Sequence, residues 1–297
     1  MSEATSRFQQ KPERLSDGKS ARDFQPGDSS PRSNSTPRPD LPAERLRQLS
    51  EQPNRAPRWL NTEDLNRYRR QTARPLFSLL FVIPLIVVYE VATLSAEGIE
   101  LRSGMDQWLH YFLASLGIGQ LLLLPLLTTA ILLVQHHYSE DSWRIDWPVL
   151  GSMALESLFW GSCLWVFANL CSLLNHQGPT WETSLFYLQP ISRWDNLLVM
   201  VGSGIYEELI FRLILLSMVL AVTRRYRIPC GDWLAMGLVS WIFAALHFNF
   251  LNPAGTEFQM IRFVFLFLAS LFFSSIYLQR GFGIAVGTHV LFDILTL

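Results

Sequence analysis

Three charges stand in a run otherwise fit for lipid: Glu207, Glu208 and Arg212 in the stretch GIYEELIFRLILL, residues 204–216. An ionisable group at the centre of a membrane helix costs about 2.5 to 3.5 kcal/mol on translocon scales, so such residues are functional candidates by default. Spacing divides their work. Glu208 and Arg212 are four apart with the acid first, the favoured order for a helical ion pair. That pairing leaves Glu207, about 100° around the helix, without an intrahelical partner. Two further sets lie downstream. The stretch FAALH runs from Phe243 to His247, and HVLFD places His289 and Asp293 four apart on one helix face. Imidazole with carboxylate can hold a metal, orient a water or donate to an oxyanion. One Glu, two His and one Asp from three helices make a full site if they converge.

Each set also has a structural reading. His247 alone is a candidate helix–helix hydrogen bonder. His289 with Asp293 would serve as a helix-pairing clamp, and Glu207, Glu208 and Arg212 as an ion network. The occurrence of all three in the last four apolar spans favours a shared site. Elsewhere, Glu90 and Glu156 read as interfacial acids or as acids with a local partner. His110, His136, His137 and His176 read as solvated or interfacial. Gly202, Ser203 and Gly204 would let another helix approach the acidic helix closely.

The elements that must position these groups are membrane helices. The 297 residues are 49% apolar and 16% charged, with a mean hydropathy of +0.21. The net charge of −1 hides a split, with residues 1–74 at +5 and the remainder at −6. Residues 1–74 carry stretches such as PGDSSPRSNSTPRPD and bury too little apolar surface to offset chain entropy. They read as a disordered tail with a weak helical period just before the membrane. They lack the early apolar core of a signal peptide, and no nucleic-acid role follows from their charge. From residue 75 the apolar runs at 76–96, 118–135, 148–173, 196–222, 233–251, 261–279 and 283–297 predict about seven membrane helices. Residues 104–116 read as an interfacial amphipathic helix. Arginines before the first run, between the fourth and fifth, and after the sixth place the N-terminus on the cytoplasmic side. Trp59, Trp108, Trp143, Trp147 and Trp181 fall near the boundaries, as an aromatic belt would. Cys163, Cys171 and Cys230 show neither disulfide nor zinc spacing and read as small buried apolar residues.

The order EELIFR, then FAALH, then HVLFD, each in its own apolar span, resembles the three motifs of the CPBP family. This family comprises type 2 CAAX prenyl proteases and bacteriocin-processing or immunity proteins, also called Abi. The resemblance covers residues 190–297. It implies an all-helical intramembrane endopeptidase in which Glu207 and His247 activate the hydrolytic water, directly or through a metal. The third motif maps to His289 and Asp293, and Glu208, Arg212 and Phe243 become supporting residues. Family members often carry Asn at the last position. Asp293 departs from that pattern, and an ionised carboxylate cannot donate to an oxyanion. As a carboxylate it suits a metal ligand or a group that orients His289. The departure tilts the reading toward a zinc site made by Glu207, His247, His289 and Asp293.

The expected molecule is therefore an all-α, polytopic membrane bundle with a tail at 1–74, N-terminal membrane helices at 75–189 and a catalytic core at 190–297. Its partners are membrane lipid and a peptide or protein substrate at the membrane, and its expected location is a bacterial inner membrane. A catalytically silent scaffold or immunity protein is the alternative, and a small-solute transporter a further one. The absence of a detectable internal repeat argues against the transporter.

Overall fold

In the computed structural model, residues 62–95, 109, 114, 115, 117, 123–175, 193–248 and 256–297 are described. These are helical, with no strand among them beyond one isolated bridge between Phe248 and Thr256. The helices are α1 (Thr62–Thr72), α2 (Pro75–Ser95), α3 (Leu123–Ser139) and α4 (Trp147–Asn175). They continue with α5 (Arg193–Glu208), a π-helical stretch (Leu209–Leu216), α6 (Ser217–Arg225), α7 (Gly231–Leu246), α8 (Met260–Arg280) and α9 (Phe282–Thr296). α1 is the helical period expected just before the membrane. The expected amphipathic helix at 104–116 lies almost wholly outside the described residues, as do residues 1–61 of the tail and Trp59, Trp108 and Trp181.

α2, α4 and α8 are long and apolar enough to cross a membrane, and α7 and α9 are shorter apolar helices. Their outward faces are apolar: Val87, Val88 and Val91 on α2, and Leu155, Phe159 and Val166 on α4, are exposed. The interior instead holds Glu90, Glu207, Glu208, Arg212, His247, His289 and Asp293, all buried. Lipid is the solvent that suits this arrangement, since it leaves apolar surface unpunished and drives ionisable groups toward the bundle centre. The chain is an integral membrane bundle.

α9 is the central element, packed against α4, α5, α8 and α2. Every residue from Phe282 to Val290 is buried, as expected of a helix apolar on all sides. Small residues make this possible. A Cβ on Gly204 of α5 would lie 2.6 Å from Val290 Cγ2 and 2.9 Å from its backbone nitrogen. The chain reaches α9 from α8 through Gly281 alone, at φ +93° and ψ 172°, a conformation open essentially only to glycine. α9 thus begins at once, without a break.

Two acids of the N-terminal helices, buried Glu90 and half-buried Glu156, have partners within the bundle. The Tyr206 hydroxyl on α5 donates to Glu90 Oε1 on α2. Glu156 on α4 joins three helices. Tyr68 on α1 donates to Oε2 (2.8 Å), Trp160 Nε1 donates to Oε1 (3.2 Å), and Arg280 at the end of α8 donates through Nε to Oε1 (2.6 Å) and through Nη2 to Oε2. Burial first, then the Glu156 carboxylate, pushes the Tyr68 phenol above its ordinary range, so it remains a donor.

Some expectations change. Cys163 and Cys230 are exposed and Cys171 is half-buried, all as free thiols. Cys163 falls on the outward face of α4, and Cys230 in the turn before α7. His136 is buried rather than solvated, because Trp143 packs edge-on at 4.3 Å, whereas His137 is exposed.

Gly204→Ala should lower stability by about 1 to 3 kcal/mol through overpacking, measured as thermal unfolding in detergent micelles. Gly237→Ala is the control, because a Cβ there meets nothing within 4 Å. Equal midpoints for the two variants would rule out the close α5–α9 approach.

Candidate active site

The acidic helix carries its charges where its winding changes. α5 ends at Glu208, and Leu209–Leu216 continue as a π-helix. Such wide turns are rare and frequently mark functional sites. The Ser217 hydroxyl donates to the Arg212 carbonyl five residues back (3.3 Å). The expected span at 196–222 is thus one run of helix with a wide middle, not a uniform α-helix.

Glu208 does more than neutralise Arg212. Arg212 Nη1 lies 2.8 Å from Glu208 Oε1, and the same oxygen lies 2.8 Å from His289 Nδ1. An ionised carboxylate only accepts, so Nδ1 carries the hydrogen and Nε2 points to the far side of the ring. There Nε2 stands 3.7 Å from Glu207 Oε2 and 3.7 Å from Asp293 Oδ2. Those separations exceed a direct hydrogen bond and invite a water that touches both sides. The ring is stacked on Phe273 of α8, with centroids 4.5 Å apart and planes 19° apart.

Glu207 does have an intrahelical partner, contrary to the sequence expectation. Ser203, four residues earlier, donates to Glu207 Oε1 at 2.6 Å. Its other oxygen, Oε2, has no hydrogen bond among the described residues and is the one that faces His289. Arg212 is held in turn by α8, donating through Nη2 to the Ser270 hydroxyl (3.0 Å) and carbonyl (3.3 Å). Its guanidinium carbon lies 4.9 Å from the Phe243 ring centroid and 5.2 Å from that of Phe273, distances at which a desolvated cation is attracted to the ring face.

His247 occupies the C-terminal end of α7, one residue past Leu246. The expected span ran on to 251; the helix stops earlier, and residues 249–255 lie outside the described set. His247 Nδ1 is 2.8 Å from the Phe243 carbonyl. A carbonyl cannot donate, so Nδ1 carries the hydrogen and, in neutral imidazole, Nε2 carries the lone pair. Phe243 connects this histidine to the rest, with ring centroids 4.6 Å from His247 and 6.5 Å from His289. The helices that carry the histidines are short. α7 and α9, at 16 and 15 residues, span about 24 and 22 Å at 1.5 Å per residue, less than a hydrocarbon core of about 30 Å.

The structure therefore brings Glu207, Glu208, Arg212, His289 and Asp293 into direct proximity and joins His247 through Phe243. Sequence reasoning missed Ser203, Ser270, Phe273 and the bond from His289 to Glu208. Ser203 was legible in the i−4 spacing of SGIYE. The α8 residues carried a weaker signal, the paired serines of ASLFFSS in an otherwise apolar helix.

Among the described residues, no group of three or more His, Cys, Asp or Glu side chains is arranged to hold a metal ion. Glu208 holds His289 at Nδ1, which leaves Nε2 as the ring nitrogen facing Glu207 and Asp293, and His247 packs on the Phe243 ring.

Comparison with known proteins agrees with the three-motif resemblance. Residues 189–295 match the family model described as type II CAAX prenyl endopeptidase Rce1-like. No curated protein and no solved structure matches the chain.

Removing one member of a buried ion pair strands the other. Arg212→Met should cost about 3 to 5 kcal/mol, and adding Glu208→Gln should recover part of it, both measured by unfolding in mild detergent. Additive losses would mean that the two groups do not act as a pair.

Proposed function

We propose that this chain, whose residues 189–295 carry the type II CAAX prenyl endopeptidase pattern, is an intramembrane endopeptidase acting on a membrane-associated peptide or protein. The observation that carries this reading is one buried imidazole between carboxylates: His289, with Nδ1 on Glu208 and Nε2 facing Glu207 and Asp293 at 3.7 Å each. A scaffold needs charges paired; it does not need a carboxylate oxygen aimed at an imidazole edge.

Glu207 is the base. Ser203 holds Oε1, so Oε2 takes a proton from a water whose oxygen attacks the scissile carbonyl carbon. The proton passes to the leaving amine, so one water is consumed and one acid and one amine are released. His247, with Nδ1 fixed on the Phe243 carbonyl, keeps its Nε2 lone pair available as a second acceptor. His289 in its protonated form donates from Nε2 to the developing oxyanion. Asp293, unable to donate when ionised, steadies that N–H rather than the oxyanion. Glu208 and Arg212 fix the ring that does the donating. The arginine distribution supports an N-terminus on the cytoplasmic side.

Two measurements test the reading. Purified protein in lipid should cleave members of a membrane-peptide library, and Glu207→Gln should lower the rate by about 10²- to 10⁴-fold, the usual worth of a general base. Unaltered cleavage removes Glu207 from the mechanism; no cleavage by the unaltered protein favours the scaffold. Chelation separates the two forms of the reaction, and cleavage that persists after it is metal-free. Stoichiometric zinc that is lost in His289→Ala would instead restore a metal to the site.

A further inference from the structure

The turn that joins α6 to α7 lies between the first two motifs and has its own chemistry. α6 ends in Arg224 and Arg225, the turn carries Arg227, and α7 opens with Asp232. Arg224 and Asp232 form a two-pronged pair, Nε to Oδ1 and Nη2 to Oδ2, each 3.1 Å. Three arginines against one aspartate leave a local charge of +2. A cleft of about 490 Å³ opens here, lined by Thr223, Arg224, Arg227, Cys230, Asp232 and Trp233 among others. Tyr226 and Trp233 flank it, 75% and 72% exposed.

Position selects the ligand. The turn joins the acidic run, which lies inside an apolar bundle, to a short apolar helix that returns into it. The turn therefore lies at the bilayer surface, where exposed Trp and Tyr favour the headgroup layer. Cationic side chains at that depth meet anionic headgroups at high local concentration. Arg224 is pre-set by Asp232, so its guanidinium forms one wall of the cleft, and Arg227 supplies charge that the aspartate does not take up.

We propose that the α6–α7 cleft binds the phosphodiester headgroup of an anionic phospholipid, with Arg227 and Arg224 as the charged contacts and Trp233 as the interfacial anchor. Its occupancy would hold the cytoplasmic end of the helix that carries Glu207, Glu208 and Arg212.

Cys230 lines the cleft and is an exposed free thiol, so it reports occupancy without reference to any activity. The full chain carrying Cys163→Ala and Cys171→Ala retains Cys230 as its one cysteine. It is placed in nanodiscs of phosphatidylcholine alone or with phosphatidylglycerol, and alkylation by a water-soluble maleimide is timed. Phosphatidylglycerol should slow alkylation. Arg227→Gln should weaken that protection about fivefold, the worth of one basic residue near an anionic surface. A general surface-potential effect on the thiol would persist in Arg227→Gln, and persistence overturns the proposal. So does equal alkylation in the two lipids. Protection by inorganic phosphate in phosphatidylcholine discs would overturn the lipid assignment in favour of a soluble phosphate.

Discussion

The buried chain of charge from Ser270 through Arg212 and Glu208 to His289 is the constraint on which the core depends. It crosses three helices, α8, the π-widened run after α5, and α9. Neither Glu208 nor Arg212 has measurable exposure, so each is tolerable only with the other in place. Pairing at one oxygen, Glu208 Oε1, ties the guanidinium and the imidazole to a single point. The position of α9 against α5 follows from that point as much as from Gly204.

Aromatic rings complete what ion pairing leaves open. Phe243 and Phe273 cover the guanidinium, Phe273 stacks on His289, and Phe243 separates His289 from His247. They exclude lipid and water from the charges, which strengthens each electrostatic contact. They also fix ring planes, so that His289 Nε2 and Glu207 Oε2 face one another across a gap rather than closing into a bond. A gap of that kind between a carboxylate and an imidazole leaves both polar edges facing one another without a direct bond.

The N-terminal half takes part in positioning. Glu90 on α2 receives the hydroxyl of Tyr206, the residue before Glu207, while Tyr89 packs edge-on against that same ring. Glu156 binds α1, α4 and the end of α8 together just before Gly281 turns the chain into α9. The motif-bearing third is thus held from behind by helices whose own sequences carry no motif.

Much was legible without coordinates. Apolar runs located the helices, but of the seven expected spans only α2, α4 and α8 are long and apolar enough to cross a membrane among the described residues, and α7 and α9 are shorter. The cost of burying charge singled out Glu207, Glu208, Arg212, His289 and Asp293, because lipid tolerates such groups only for a reason. The i,i+4 spacing determined the Glu208–Arg212 pair, because helical neighbours are local. Tertiary structure alone decided that Glu208 holds His289 and that the Phe243 ring stands between His247 and His289. Those facts join residues up to 81 positions apart, and no local period encodes a distance across helices. Where α7 ends was equally hidden, because an apolar run marks what suits lipid and not where the winding stops.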